Sequence, residues 1–257
     1  MENIKIFVCT HKETIFKKGE IYIPLLCGAD YHKEIKILGD NTGDNISIKN
    51  KNYCELTGIY WIWKNINSDY IGVCHYRRYF NLKKIHRIDE KDLERGIKLS
   101  EEKIKFFLEK NDMIVSEELK LYPNVEEQYK KYHRIEDLEN LKKIITKNCE
   151  EKYIVAMNKV LKEDIIYPCN MLIARKEIFD DYCKWLFGIL FELEKEIEIS
   201  EDSYQARVFG FLSERMLRVY IEANKLKIKE VKVTRIEENL KLKFYKKIKY
   251  EFKMKFY

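Results

Sequence analysis

One histidine and two arginines lie within four residues at the end of a short apolar stretch. His75, Arg77 and Arg78 follow residues 70–74, which are too few for a helix and come directly after turn-forming residues, so the pattern predicts a buried strand. Open α/β sheets bind ligands at the carboxyl ends of their strands, and arginine offers forked, permanently charged donors that match phosphate oxygens. The stretch, with Tyr76 inside it, therefore predicts a site for a diphosphate group. The alternative is that one arginine is solvated, the other is ion-paired and the histidine packs in the core.

A second polar group follows the first predicted strand, residues 4–9. Thr10, His11 and Lys12 place a hydroxyl, an imidazole and an ammonium where this strand leads into a loop. A nucleotide would fit there, with these side chains near its base and ribose. Ordinary loop residues are an equal alternative.

Apolar periodicity alternates between strand-like and helix-like along the first 230 residues. The predicted strands are residues 4–9, 35–38, 70–74, 112–116 and 165–174, the last with a break at Pro168. The predicted helices are residues 52–65, 91–96, 101–110, 176–196 and a segment that starts at Glu201, with a helix-rich insertion over residues 125–161. This alternation predicts one α/β domain in which helices cover both faces of a sheet.

The composition excludes several classes of protein. The 257 residues are 46% hydrophobic with only 3 prolines, which is typical of a packed globular chain. The 7 cysteines are odd in number and form no CxxC or CxxH pattern, which argues against a disulfide framework and against a zinc site. We expect no secretory signal, because the N-terminus leads into a strand-like segment without a basic region followed by an apolar one. We also expect no membrane-spanning helix, because no apolar run approaches the roughly 20 residues that cross a bilayer.

The formal net charge of +6 is concentrated near the C-terminus. Residues 225–257 carry 12 Lys and Arg against 4 Glu, which leaves the first 224 residues with a charge of −2 and argues against nucleic-acid binding. Residues 1–235 are the predicted domain, and residues 236–257 are a basic tail rich in aromatic residues. Such a tail is typical of a helix that lies on an anionic membrane surface. The alternative is a C-terminal helix that packs on the domain.

Two further groups of polar residues are catalytic or binding candidates. Tyr129, His133 and Asp137 are spaced by four, which predicts one polar stripe on a helix that either lines a cleft or faces solvent. Glu201 and Asp202 open the last predicted helix, where carboxylates also suit the positive end of the helix dipole.

Several stretches in combination resemble a known family. They are Thr10-His11-Lys12, residues 43–50 and 54–65, His75-Tyr76-Arg77-Arg78-Tyr79, Gln128-Tyr129 with His133, Asn170-Met171 with residues 182–187, and residues 207–215. Over residues 3–232 they resemble bacterial glycosyltransferases of capsule and exopolysaccharide biosynthesis, long filed as a domain of unknown function, some of which resemble galactofuranosyltransferases. The resemblance implies a GT-A-like (Rossmann-like) mixed sheet flanked by helices. It also implies transfer of a hexose from a UDP-sugar to a lipid-linked oligosaccharide.

This resemblance gives the candidate residues their expected roles. Asp202 is the expected catalytic base, with His133 and Glu201 as alternates. The expected substrate-binding residues are Thr10, His11, Lys12, Asp44, Asn45, His75, Tyr76, Arg77, Arg78, Tyr129, Asn170 and Arg207.

The sequence departs from ordinary GT-A enzymes in one respect. Those enzymes hold a divalent metal on the diphosphate with an Asp-x-Asp motif, and this sequence contains none. We expect the cationic cluster at residues 75–78 to replace the metal. Mn or Mg bound by dispersed carboxylates such as Asp44 is the alternative.

The resemblance also implies where the protein acts and with what. We expect a cytoplasmic protein, peripheral on the inner face of the cell membrane, with a nucleotide sugar and a lipid-linked glycan as partners. The alternative function is a non-catalytic nucleotide- or sugar-binding module, which would bind UDP but never release it from a UDP-sugar.

Overall fold

A mixed β-sheet forms the centre of the protein in the computed structural model, which describes residues 3–17, 19–83 and 85–237. Its strands are, in chain order, β1 (Ile4–Thr10), β2 (Tyr22–Leu26), β3 (Tyr70–His75), β4 (Arg78–Asn81), β5 (Arg87–Asp89), β6 (Met113–Ser116), β9 (Leu172–Arg175) and β10 (Ile228–Glu237). Between β6 and β9 along the chain, β7 (Leu119–Lys120) and β8 (Ile165–Ile166) pair with each other in a separate two-stranded sheet. β1 pairs in parallel with β2 and β3, whereas β9 runs antiparallel between β3 and β6. β10 pairs in parallel with β6 and with β5, and it pairs antiparallel with β4.

Helices cover both faces of this sheet. They are α1 (Asn50–Tyr53), α2 (Leu56–Asn65), α3 (Leu93–Gly96), α4 (Glu101–Leu108), α5 (Val125–Tyr132), α6 (Ile135–Asn148), α7 (Glu151–Lys162), α8 (Lys176–Glu196) and α9 (Val208–Ala223). One apolar core joins one face of the sheet to α2 and α5–α9, and a second core joins the other face to α3 and α4. The predicted mixed α/β architecture is confirmed. In the described ranges, no helix combines the length and the apolar character needed to cross a membrane.

β3 is buried on both faces, as its short apolar run predicts. Ile71 and Val73 pack in the first core, and Tyr70 and Cys74 pack in the second. Gly72 lies between neighbouring strands, where an added Cβ would stand 3.0 Å from the side chains of Ile6 and Ile173. This close packing places the end of β3 accurately against the end of β1.

The predicted strand at residues 35–38 is wrong. These residues lie in a loop, and an isolated bridge between Leu26 and Gly39 is the contact with the sheet beside them. The loop is organised by Asp40, whose buried carboxylate accepts hydrogen bonds from the backbone N–H groups of Gly28 and Ala29 and from the hydroxyl of Ser47. These bonds fold the chain over the edge of the sheet instead of extending it.

Two predicted helices begin or continue differently from the expectation. The helix over residues 52–65 is interrupted at Cys54, whose φ of 53° and ψ of −131° are unfavourable for a residue with a Cβ. The helix expected to start at Glu201 starts instead at Val208, after a turn and a short 3₁₀ segment, Gln205–Arg207. Glu201 and Asp202 therefore do not lie in its first turn.

β10 was not among the predicted strands, although residues 228–237 show a partial alternation of apolar and charged positions. This strand crosses the expected boundary between residues 235 and 236. The rest of the predicted basic helix, residues 238–257, lies outside the described residues.

Candidate functional site

The carboxyl ends of β1 and β3 meet at one edge of the sheet. Cys9 lies opposite His75, and the backbone N–H of Tyr76 donates to the Cys9 carbonyl over 3.1 Å. The loops that follow the two strands open into one cavity of about 990 Å³, close to the upper limit of about 1,000 Å³ for typical small-ligand sites. Of the residues predicted from the sequence, those that line it are Thr10, His11, His75, Tyr76, Arg77, Arg78, Glu201 and Arg207.

The two arginines after β3 line the same cavity. Neither guanidinium forms an ion pair or a hydrogen bond with any of the described residues, although that of Arg77 lies 5.2 Å from the centre of the Tyr76 ring. The alternative reading, in which one arginine is neutralised by an ion pair, is therefore not what the described part of the chain shows. Two guanidiniums that line one cavity are suited to a ligand with several anionic oxygens.

The two histidines of the cavity have different roles. The Nε2 of His75 lies 2.8 Å from the carbonyl oxygen of Cys169, and because a carbonyl only accepts, this nitrogen carries the hydrogen. His75 thus fixes the turn at Cys169. The pKa of His11 is lowered, mainly by burial and further by the neighbouring charges of His32 and Lys12, so this ring is a neutral hydrogen-bonding group near pH 7.

Two carboxylates from different helices belong to the same cavity as the arginines. Glu55 lies at the start of α2 and Glu214 lies on α9, and both line the cavity. One turn holds the pair: Asn170 Nδ2 donates to Glu55 Oε1 over 2.8 Å, and the backbone N–H of Cys169 donates to Glu214 Oε1 over 2.8 Å.

The turn that holds the two carboxylates is strained. Cys169 and Asn170 have φ values of 69° and 49°, in the left-handed region that residues with a Cβ seldom adopt. Such a conformation costs on the order of 1–3 kcal/mol per residue and is concentrated at functional sites. Together with Cys54, which precedes Glu55, three strained residues adjoin the two carboxylates.

The environment of Glu214 makes this carboxylate harder to ionise. Burial raises its pKa above the usual 4.5, the charge of Glu55 raises it further, and the nearby Arg215 and Arg78 lower it only in part. A carboxylate whose pKa lies closer to neutral pH is a more effective proton acceptor than an ordinary one. Glu214 is therefore the carboxylate of the cavity whose surroundings best suit a general base.

Asp44 and Asn45 lie near the C-terminal end of α2 and do not line the cavity. Asp44 accepts a hydrogen bond from the hydroxyl of Tyr60 and packs against Asn65 at the C-terminal end of this helix, whereas Glu55 marks its N-terminal end at the cavity. Asn45 bonds within its own loop. A ten-residue helix, about 15 Å long, separates the two positions.

Tyr129 and Asn170, two of the expected substrate-binding residues, are fully buried. The Tyr129 ring packs in the core, where the Arg215 guanidinium lies 5.2 Å from its centre. Asn170 lies beneath Glu55 and also donates to Ser213 Oγ over 2.9 Å, so it orients a carboxylate of the cavity.

The polar stripe of Tyr129, His133 and Asp137 does not exist as a single helix face. α5 ends at Tyr132, His133 has an extended backbone, and Asp137 belongs to α6. His133 does not line the cavity. Lys12 lies beside the cavity, with its ammonium 5.6 Å from the centre of the Tyr76 ring.

Asp202 is also absent from the lining of the cavity, although its neighbour Glu201 lines it. Asp202 Oδ1 instead accepts the backbone N–H groups of Tyr204 and Gln205 over 3.0 and 2.8 Å. This pattern is an Asx turn that orders the segment before α9.

The Asx turn gives a direct test of the expected base. Asn at position 202 keeps the accepting oxygen of the turn but cannot take a proton, so Asp202→Asn should retain turnover within about threefold of wild type, whereas loss of a general base costs about a hundredfold or more. Turnover measured under saturating substrates distinguishes the two outcomes. A hundredfold loss with an unchanged melting temperature would restore Asp202 as the base.

Sequence reasoning did not assign several residues of the cavity to the site. They are Cys9, Cys27, Asn50, Lys51, Asn52, Cys54, Cys169, Ile199, Ser200, Ser203, Ala206 and Glu214. Glu214 is followed directly by Arg215 in the sequence, and Glu214 Oε2 lies 3.5 Å from Arg215 Nη1. The sequence signal for Glu214 is a carboxylate between the apolar residues Leu212 and Met216. Burying an unpaired charge among apolar residues costs free energy, so such a charge indicates a specific role.

Comparisons with known proteins identify a family and one similar solved structure. The model of a family described as a domain of unknown function, DUF4422, matches residues 5–225. The apo structure of WbbM, described as a bifunctional glycosyltransferase, superposes with a TM-score of 0.85 at 32% sequence identity. The match covers 92% of this chain and 46% of the other, so the chain spans slightly less than half the length of that protein. No curated protein matches the chain significantly.

Proposed function

The chain belongs to the DUF4422 family, and from this membership and the geometry of its cavity we propose that it is a glycosyltransferase that uses a nucleotide sugar as donor. One observation carries the proposal: the guanidiniums of Arg77 and Arg78, which pair with none of the described residues, line the same cavity at the ends of two parallel strands as the carboxylates of Glu55 and Glu214. The likeness to a bifunctional glycosyltransferase supports it. Glycosyl transfer needs this pair of features, a cationic surface for the leaving group and a base for the acceptor.

The cationic side of the cavity would bind the diphosphate. As the bond between the sugar and the phosphate breaks, its electron pair moves onto a diphosphate oxygen, and Arg77 and Arg78 stabilise the charge that develops there. His11, neutral and close to both strands, is placed to contact the nucleoside.

The carboxylate side would activate the acceptor. Glu214 takes the proton of the acceptor hydroxyl while the oxygen of that hydroxyl forms the new bond to the sugar. One oxygen of Glu214 is fixed by the Cys169 N–H, which leaves the other, with only a long 3.5 Å contact to Arg215, for the acceptor. Glu55 is the second carboxylate, and its hydrogen bond from Asn170 would orient it toward the sugar hydroxyls.

We propose a reaction that does not use a divalent metal. No group of three His, Cys, Asp or Glu side chains in the described residues is arranged as a set of metal ligands. Asp44, suggested as a dispersed ligand, lies outside the cavity. No step of the mechanism is therefore assigned to a metal.

Metal dependence can be measured directly. With no Asp-x-Asp motif and with arginines to neutralise the diphosphate, turnover should stay within about twofold of the untreated rate in excess EDTA. The measurement is nucleotide release before and after chelation. Loss of activity in EDTA, restored by manganese, would contradict the role given to the two arginines.

The finer description of the reaction rests on the sequence resemblance. We propose a UDP-sugar donor, a hexose such as galactofuranose, and a lipid-linked oligosaccharide acceptor in the synthesis of capsule, exopolysaccharide or lipopolysaccharide. Attachment to the inner face of the cell membrane by the basic tail is part of this proposal. The tail beyond Glu237 lies outside the described residues.

A screen of sugar nucleotides tests the function. Purified protein is incubated with UDP-, GDP- and dTDP-sugars, and both nucleotide release and the shift in melting temperature are measured. Release from at least one donor class is expected. Stabilisation by a nucleotide without release from any sugar nucleotide, with or without glycan acceptors, would indicate a binding module instead of an enzyme.

A further inference from the structure

Three aromatic rings pack together beside the cavity. The ring centre of His133 lies 4.0 Å from that of Phe211 and 5.9 Å from that of Tyr204, and Tyr204 and Phe211 are 5.0 Å apart. Tyr204 is the outer member, with 51% of its surface exposed. An exposed tyrosine that stacks on a fixed aromatic layer presents a flat apolar face to solvent.

This aromatic cluster is continuous with the cavity. Ser203 and Ala206, close to Tyr204 in sequence, line the cavity, as does Arg207. The Arg207 guanidinium lies 6.0 Å from the centre of the Tyr204 ring, while its Nε donates to Cys54 Sγ over 3.2 Å. A ligand that rests on Tyr204 would therefore reach into the cavity past Arg207.

Hydrogen bonds hold the cluster in place. Asp202 fixes the backbone of Tyr204, and the Gln205 side chain donates to the Tyr132 carbonyl over 2.9 Å and accepts from His133 Nδ1 over 3.3 Å. Burial and the charge of Arg215 lower the pKa of His133 to about 4, so its ring is an uncharged aromatic surface at neutral pH. The exposed face of Tyr204 is thus held ready before any ligand arrives, which reduces the entropy lost on binding.

We propose that Tyr204 is the platform on which the acceptor glycan rests, with one pyranose ring stacked on its exposed face. The proposal builds on the glycosyltransferase function proposed above. One face of a pyranose carries C–H groups, which are apolar and slightly positive and so complement the negative face of an aromatic ring. The hydroxyl of Ser203 and the carboxylate of Glu201, both in the cavity lining, are available to the sugar hydroxyls.

Saturation-transfer NMR with simple sugars tests the platform without relying on turnover. The probes are the methyl glycosides of galactose, glucose, mannose and rhamnose in their pyranose forms, with UDP present at saturation. Wild-type protein should transfer saturation to the ring C–H protons of at least one probe. Tyr204→Ala should weaken the binding of that probe about threefold to tenfold, the range expected for one aromatic stacking contact, whereas Tyr204→Phe should retain it.

Tyr132→Ala is the matched control, because Tyr132 is 52% exposed on the neighbouring α5 and does not line the cavity. This control should bind the probe as wild type does. The proposal is overturned if wild type saturates none of the four pyranosides, or if Tyr204→Ala binds them as wild type does. Failure of the glycosyltransferase function would show separately, as the absence of nucleotide release from every sugar nucleotide.

Discussion

Glu214→Gln should reduce the rate of glycosyl transfer by about a hundredfold to ten-thousandfold while leaving nucleotide binding within about twofold of wild type. Glutamine keeps the shape of the side chain and its acceptor for the Cys169 N–H, but it cannot take a proton from the acceptor hydroxyl. The loss expected is that of a general base. It is measured as kcat for transfer, alongside the dissociation constant of UDP from calorimetry.

The pH dependence of wild-type activity should report the same carboxylate. Glu214 must be ionised to act as a base, and its pKa is raised above the usual value by burial, so activity should fall on acidification at a higher pH than an ordinary glutamate would give. Glu214→Gln should remove this acidic limb from its residual activity.

Glu201→Gln is the matched control for Glu214→Gln. Glu201 also lines the cavity and is an alternate base from the sequence, but it is exposed to solvent. Its substitution should cost less than about tenfold. A larger loss in Glu201→Gln than in Glu214→Gln would assign the base to Glu201.

Arg77→Ala and Arg78→Ala, made singly, should each weaken binding of a UDP-sugar by about tenfold to a hundredfold. A hydrogen bond to a charged group contributes about 1.5–3 kcal/mol, and each guanidinium is free in the described residues to make one with the diphosphate. The double variant should bind more weakly than either single variant. Dissociation constants of UDP and of the UDP-sugar are the quantities to compare.

Arg95→Ala controls for the loss of one positive charge. Arg95 is exposed on α3 and does not line the cavity, so its removal should leave binding unchanged. Melting temperatures of Arg77→Ala and Arg78→Ala should match wild type, because neither side chain takes part in an ion pair among the described residues. Normal binding by both single variants would show that the diphosphate does not bind at this end of β3.

The sheet edge could be predicted from the sequence because its signals are local. Residues 70–74 form an apolar run that is too short for a helix, and polar side chains follow it directly. The alternation of strands and helices predicts that residues 4–9 form a strand parallel to this one. The carboxyl ends of the two strands then lie at the same edge of the sheet, which brings Thr10 and His11 close to Arg77.

The catalytic side of the cavity could not be predicted in the same way, because distant contacts decide it. Glu214 is next to Arg215 in sequence, which suggests an internal ion pair, but the N–H that holds it at the cavity belongs to Cys169. Asp202 resembles a residue at a helix start, but the helix begins six residues later and the carboxylate caps a turn. Neither fact follows from local spacing.

A crystal structure of the protein with UDP tests the central claim most directly. The claim predicts that the diphosphate lies at the carboxyl ends of β1 and β3, with phosphate oxygens about 2.7–3.2 Å from guanidinium nitrogens of Arg77 or Arg78. UDP bound elsewhere, or bound in this cavity with its phosphates away from both arginines, would contradict it.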